Sequence, residues 1–145
     1  MAKLIHVANV SLDGYIEDAH GRFDWAAPAD EVFAFITDLL RPFGSHLSGR
    51  CPYETMAEWE TDPALAAQPA RMGAFAAVWQ AADKIVYSTT LHTVPTARTQ
   101  LERRFDPDPV REMTTAAGRG INIGGAGLAA QAFDAGLIDE CQFFV

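Results

Sequence analysis

Short apolar runs bounded by turn-forming residues alternate along this chain with segments whose apolar residues recur every three or four positions. That alternation constrains the fold more than any other feature. Leu4 to Val10 is the first such run, closed by Ser11, Asp13 and Gly14. From Ala29 to Leu40 the apolar face is marked by Val32, Phe33, Phe35, Ile36, Leu39 and Leu40, and Pro42 ends the segment, which predicts an amphipathic helix. Ser45 to Ser48 reads as a short strand that passes through Gly49 into a helix opened by Pro52, a residue favoured at the first helical position, ahead of Tyr53, Met56 and Trp59. Thr61 to Pro69, rich in alanine and interrupted by prolines, predicts a loop or broken helix before a helix over Met72 to Ala82. Asp83 to Thr89 holds Ile85, Val86 and Tyr87 in a row, the pattern of a buried strand. Val110 to Ala117 then reads as a helix, Gly120 to Ile123 as a strand, Leu128 to Ala135 as a helix closed by Gly136, and Asp139 to Val145 as a final strand. Strands alternating with helices build a largely parallel sheet covered on both faces, so the class is α/β. In such sheets ligands gather at the carboxyl ends of the strands.

With 145 residues, 49% of them apolar, the chain supplies one well-packed core, and a single domain over 1–145 is expected. A net charge of −8 argues against a nucleic-acid surface, which needs a basic stripe. No apolar run approaches the roughly 20 residues that cross a bilayer, so no membrane role is expected. The opening MAKLIHVANV lacks the apolar core and cleavage site of a secretory signal, so a cytoplasmic location is expected. Cys51 and Cys141 lack C-x-x-C spacing, and His6, His20, His46 and His92 lack paired ligand spacing, so no metal is expected.

Three loops at predicted carboxyl ends of strands carry anion-compatible residues. In Ile121-Asn122-Ile123-Gly124-Gly125-Ala126-Gly127-Leu128 an apolar strand turns through small residues directly into a helix. Backbone stripped of side chains can approach a pyrophosphate, and the helix N-terminus favours its charge. A tight strand-to-helix turn needs the same glycines without any ligand, and the pattern is not G-x-G-x-x-G. Gly49-Arg50-Cys51-Pro52-Tyr53-Glu54 places a guanidinium where it can grip a phosphate with two donors, or pair with Glu54 at the surface. Ser88-Thr89-Thr90 offers hydroxyls to a second phosphate, or simply turns the chain.

Several short motifs occur in one order: Ser11-Leu12-Asp13-Gly14-Tyr15-Ile16, then Gly49-Arg50 with Tyr53-Glu54, then Ile85-Val86-Tyr87-Ser88-Thr89-Thr90, then Ile123-Gly124-Gly125-Ala126, then Gly136-Leu137-Ile138-Asp139-Glu140. This series, spread over nearly the whole chain, resembles the family that joins dihydrofolate reductase with the reductase domain of riboflavin biosynthesis. The resemblance implies a dihydrofolate reductase-like three-layer fold, with a mainly parallel central sheet flanked by helices, that binds NADPH. It implies that Gly49 and Arg50 meet the cofactor phosphates, that Ser88 and Thr89, with Thr90 beside them, lie near the adenosine 2′-phosphate, and that Gly124, Gly125, Ala126, Gly127 and Leu128 border the pyrophosphate and nicotinamide. Ala8 joins the cofactor-binding set, and Ser11 to Ile16 forms a mobile loop that brings Leu12, Asp13 and Ile16 near the reacting centre. Pro28 to Phe33 is similar to the start of the helix carrying the substrate-binding carboxylate, which makes Asp30 or Glu31 the candidate to orient substrate or relay a proton. Acidic residues in a first helical turn also stabilise the helix dipole without any catalytic role. Phe23 and Trp25 would line a pocket for a flat heterocycle, or serve as buried anchors.

Two features depart from the family pattern. Pro52 stands where a residue with a backbone N–H usually faces the phosphate, and proline cannot donate there. The sequence stops at Val145, where such folds continue into further antiparallel strands. Gln142 to Val145 would then be an unpaired edge, which either a partner chain covers, giving a homodimer, or the rest of a truncated sequence would. The expected function is an NADPH-dependent reductase passing a hydride to a small heterocyclic or carbonyl/imine substrate, pteridine- or pyrimidine-like. The alternative is a non-catalytic nucleotide-binding or oligomerising relative that keeps the fold.

Overall fold

The computed structural model describes residues 2–22, 29–62 and 70–145, apart from the side chains of residues 59 and 70–72. In chain order its elements are β1 (Leu4–Asn9), α1 (Asp30–Leu40), β2 (Ser45–Gly49), α2 (Arg50–Thr61), α3 (Ala70–Ala81), β3 (Asp83–Tyr87), β4 (Thr99–Glu102), α4 (Pro107–Ala116), β5 (Ile121–Gly124), α5 (Ala126–Asp134) and β6 (Glu140–Phe144). The six strands form one sheet in the order β4-β3-β2-β5-β1-β6, and every neighbouring pair is parallel. The expected α/β class with a parallel central sheet is therefore the observed one. No helix among the described residues is long and apolar enough to cross a membrane.

Side chains alternate across a strand, so each strand feeds two layers. On one face Leu4, Leu47, Ile121 and Ile123 pack with Val110 of α4, Leu128 and Ala132 of α5, and Leu137. On the other, Val86 packs with Tyr53 and Ala57 of α2 and Trp79 of α3. There α1 lies against α3, with the rings of Phe33 and Phe75 5.1 Å apart. Leu4, Leu47, Val86, Val110, Ile121 and Ile123 are fully buried, and each contributes about 1.5 to 3 kcal/mol on that account.

Two differences from the sequence reading have physical causes. Helix α2 starts at Arg50, with Gly49 as its extended N-cap, so Pro52 is its third residue rather than its first. Proline is tolerated there because amides in the first turn have no partner within the helix. Strand β4 was not expected, because Thr-Gln-Leu-Glu has one apolar residue and no alternation to announce it. It forms by backbone pairing at the sheet edge, from Lys84 opposite Thr99 to Tyr87 opposite Glu102. The expected loop or broken helix over 61–69 lies mostly outside the described residues, as do Phe23 and Trp25.

Candidate functional site

The carboxyl ends of β2, β3 and β5 come together, and with them the three loops singled out above. Helices α2 and α5 both begin without a side-chain cap and without an acidic residue in the first turn. Helix α4 differs, since Asp106 closes its N-terminus by accepting from the Asp108 amide. The open ends of α2 and α5 are adjacent: a Cβ on Gly125 would stand 3.1 Å from Pro52 Cγ and 3.8 Å from the Gly49 nitrogen. Gly125 has φ +94°, a left-handed value that glycine adopts without strain. Two helix dipoles therefore present first-turn amides without a side-chain cap to one place, which suits an anion with more than one charged group.

Arg50 makes the surface pair with Glu54 that one reading of its position expected, and it also reaches the β3 loop. Its Nε donates to Glu54 Oε1 at 2.9 Å, and its Nη1 donates to Thr90 Oγ1 at 3.0 Å, linking the β2 and β3 loops. Glu54 raises the guanidinium pKa above its ordinary value, through the hydrogen bond first and then through charge. The pair is half exposed, so it is weak enough for an anion to compete with. Ser88 is buried and turns its loop, its hydroxyl accepting from the Thr90 and Leu91 amides at 3.2 and 3.1 Å. Thr89 and Thr90 stay exposed above it. Arg103, which sequence reasoning missed because it follows the unexpected β4, braces this loop by donating to the carbonyls of Ser88, at 3.3 Å, and Leu91.

Beside these loops a cavity of about 200 Å³ lies between the sheet and the helices α1, α2 and α3. Asn9, Ser48, Pro52 and Gly124 form its rim at the carboxyl ends of the strands. Its walls are apolar: Ile36 and Leu40 of α1, Met56 of α2, and Phe75 and Trp79 of α3. Its floor is polar, made by Asn122, His46 and Lys84, register partners on the three neighbouring strands β5, β2 and β3. Burial and then the Lys84 charge push the His46 pKa down to about 4, so the imidazole is neutral at pH 7. Lys84 is satisfied by the carbonyls of Trp79 and Gln80 at 3.2 and 3.3 Å, and its ammonium lies 4.4 Å from the centre of the Trp79 ring.

The structure thus brings Gly49, Arg50, Ser88, Thr89, Thr90, Gly124, Gly125, Ala126 and Gly127 into one neighbourhood, while Leu128 is buried in the core and anchors α5. Ala8 lines the cavity. Leu12 and Asp13 are exposed, and neither they nor Ile16 line it. Their loop closes on itself through Ser11, whose hydroxyl bonds the Asp13 carboxylate and accepts from the Tyr15 amide. Asp30 and Glu31 are exposed at the start of α1, a turn and a half before Ile36, where the helix reaches the cavity. His46, Lys84 and Asn122 escaped sequence reading because no local pattern links three residues so far apart in the chain. Only the register puts them in a row.

Among curated proteins no sequence matches this chain. The structure of a Shewanella sp. PV-4 protein named for riboflavin biosynthesis is similar at a TM-score of 0.68 and 22% identity, over 99% of this chain and 75% of that one. A diaminohydroxyphosphoribosylaminopyrimidine deaminase/5-amino-6-(5-phosphoribosylamino)uracil reductase from Thermotoga maritima is similar at a TM-score of 0.52 and 13% identity, over 92% of this chain but 42% of that one. The family described as the RibD C-terminal domain matches residues 2–145. On a dihydrofolate reductase-like fold, this chain therefore belongs to the RibD C-terminal domain family.

Proposed function

We propose that this chain is an NADPH-dependent reductase acting on a small heterocyclic or carbonyl/imine substrate, pteridine- or pyrimidine-like. One observation carries the reading. Pro52 and Gly124, on the rim of the apolar cavity, belong to the strand-to-helix turns that open the two uncapped helices. A nucleotide held by those turns lies at the mouth of a pocket sized for a small molecule. The donor set fits such a group: open N-termini for a pyrophosphate, and Arg50 with Thr89 and Thr90 for a further phosphate.

When bound, NADPH supplies a hydride. The chain's residues do the rest: Ile36, Leu40, Phe75 and Trp79 exclude water, while the rim fixes the ring that faces the substrate. Asp30, Glu31 and Asp13 keep the proton-handling role in this proposal; being exposed and outside the cavity lining, they act through water. A cytoplasmic location and a homodimer complete the reading. The second reading, a nucleotide-binding relative without turnover, is favoured by Pro52, which removes one amide donor from the open end of α2.

The test is titration with NADPH and then NADH, followed by tryptophan fluorescence, and then turnover on a panel of pterins and deaminated pyrimidines. NADPH-selective saturation with turnover supports the reductase. Saturation without turnover supports the second reading, and no saturation with either nucleotide removes both.

A further inference from the structure

The loop over 88–98, between β3 and β4, has no helix or strand of its own, yet helix α2 ties it down at both ends. At the first end Arg50 Nη1 donates to Thr90 Oγ1 at 3.0 Å. At the far end the Tyr53 hydroxyl lies 2.9 Å from Thr96 Oγ1, which lies 2.6 Å from Thr99 Oγ1, and Thr99 donates to the Ala97 carbonyl at 2.9 Å. Arg50 and Tyr53 are three positions apart, so they share one face of the helix. Between the two ties, Leu91 and Val94 pack against the apolar cluster that contains Tyr53.

The far tie has a fixed direction, because each hydroxyl carries one hydrogen. Thr99 gives its own to Ala97, so it accepts from Thr96, and Thr96 in turn accepts from Tyr53. Tyr53 and Thr96 are 3% and 6% exposed, and phenylalanine and valine would fill the same space without a polar atom to satisfy. What the hydroxyls supply beyond packing is a set distance between helix and loop. Arg98, inside the same tie, has φ +55°, the one positive value among the described non-glycine residues. Such a backbone persists where its surroundings over-determine it. Here the Ala97 amide donates to Glu60 Oε1 at 3.0 Å, the Lys84 amide donates to the Arg98 carbonyl at 2.8 Å, and the Arg98 guanidinium pairs with Asp83 at 2.9 Å.

We propose that Tyr53 is a positioning residue: through Thr96 and Thr99 it fixes the 88–98 loop against α2, so that Thr89 and Thr90 stand beside Arg50 as a preformed grip for a phosphate beyond the pyrophosphate. The assignment rests on the reductase reading for the identity of that phosphate; the positioning itself is read without a nucleotide.

The test compares Tyr53→Phe and Thr96→Val with Val110→Ala, which lowers stability from the opposite apolar layer without touching the loop. Tyr53→Phe leaves Thr96 donating to Thr99, so no buried donor is stranded and the fold is retained; denaturant midpoints are measured alongside for all three. Without nucleotide, the Thr90 and Leu91 amides, which donate to Ser88 Oγ, are expected to exchange hydrogen roughly fivefold faster in Tyr53→Phe and Thr96→Val, and at the wild-type rate in Val110→Ala. Adding Tyr53→Phe to Thr96→Val is expected to change nothing further, because the chain of hydroxyls is already cut. In titrations, NADPH is expected to weaken roughly fivefold in the two chain variants and NADH less than about twofold. Unchanged Thr90 and Leu91 exchange, or a rise matched by Val110→Ala, overturns the assignment, as does an equal loss of both nucleotides. If the wild type binds neither nucleotide the reductase reading falls, and faster exchange confined to the chain variants still supports the positioning.

Discussion

At Gly125 the backbone has φ +94° and a Cβ would press on the Pro52 ring, so steric space and dihedral angle both select glycine. Gly125→Ala is expected to cost about 1 to 3 kcal/mol, read as a lower urea midpoint, because it strains the turn that opens α5. Arg50 governs nucleotide choice on the proposed reading. Arg50→Ala is expected to weaken NADPH by roughly tenfold to a hundredfold and NADH much less, and equal losses would remove Arg50 from the 2′-phosphate. His46 sets a pH dependence. Its folded pKa of about 4 lies below the ordinary 6.5, so between those values the unfolded chain holds a proton that the folded one does not. Stability therefore falls as pH drops through this window, by about 2 kcal/mol between pH 7 and 5. His46→Leu should flatten that part of the curve; parallel curves for the two proteins would place the imidazole elsewhere. Of these residues, Gly125 and Arg50 were legible in the sequence, since glycine before a helix and arginine after a strand are local signals. His46 was not, because its neighbours Asn122 and Lys84 are 76 and 38 positions away in the chain.

At the scale of elements, the junction of α3 and β3 shows how one strand residue finishes a helix. Helix α3 has no basic residue in its last turn. Lys84, from the strand that follows, reaches back to two of its final carbonyls, supplying the positive charge that a helix C-terminus favours. Lys84→Met keeps the length and apolar stem and is expected to lower stability by about 1 to 3 kcal/mol, seen as a shifted denaturant midpoint. An unchanged midpoint would mean that water replaces the ammonium at no cost. Elements with strong internal periodicity, such as α1, were legible within a residue of their ends. Strand β4 was invisible, because its stability comes from pairing with β3 rather than from its own residues.

For the whole molecule the parallel sheet leaves β6, among the described residues, paired on one side only, with β1. Phe143 and Val145 are 53% and 80% exposed along that edge, and Phe35 of α1 stands over Phe144 with ring centres 5.9 Å apart. An exposed apolar edge strand favours association. Phe143→Lys is expected to keep the fold and reduce self-association in sedimentation runs at two concentrations; unchanged sedimentation would mean that this edge takes no part in it. The same sheet positions the candidate site, since its order places β5 between β1 and β2 and so sets Gly124 beside Ser48 at the cavity rim.

The sequence by itself determined the α/β class, the order of most elements and the three glycine- and hydroxyl-bearing loops. Those features rest on periodicity and turn chemistry, which act over a few residues. Tertiary structure alone decided that the loops converge, that β4 exists, that Asp13, Asp30 and Glu31 stay outside the cavity, and that His46, Asn122 and Lys84 form its floor. Each of these depends on which strand lies beside which and in what register, a choice set by burying the whole sheet between two helical layers.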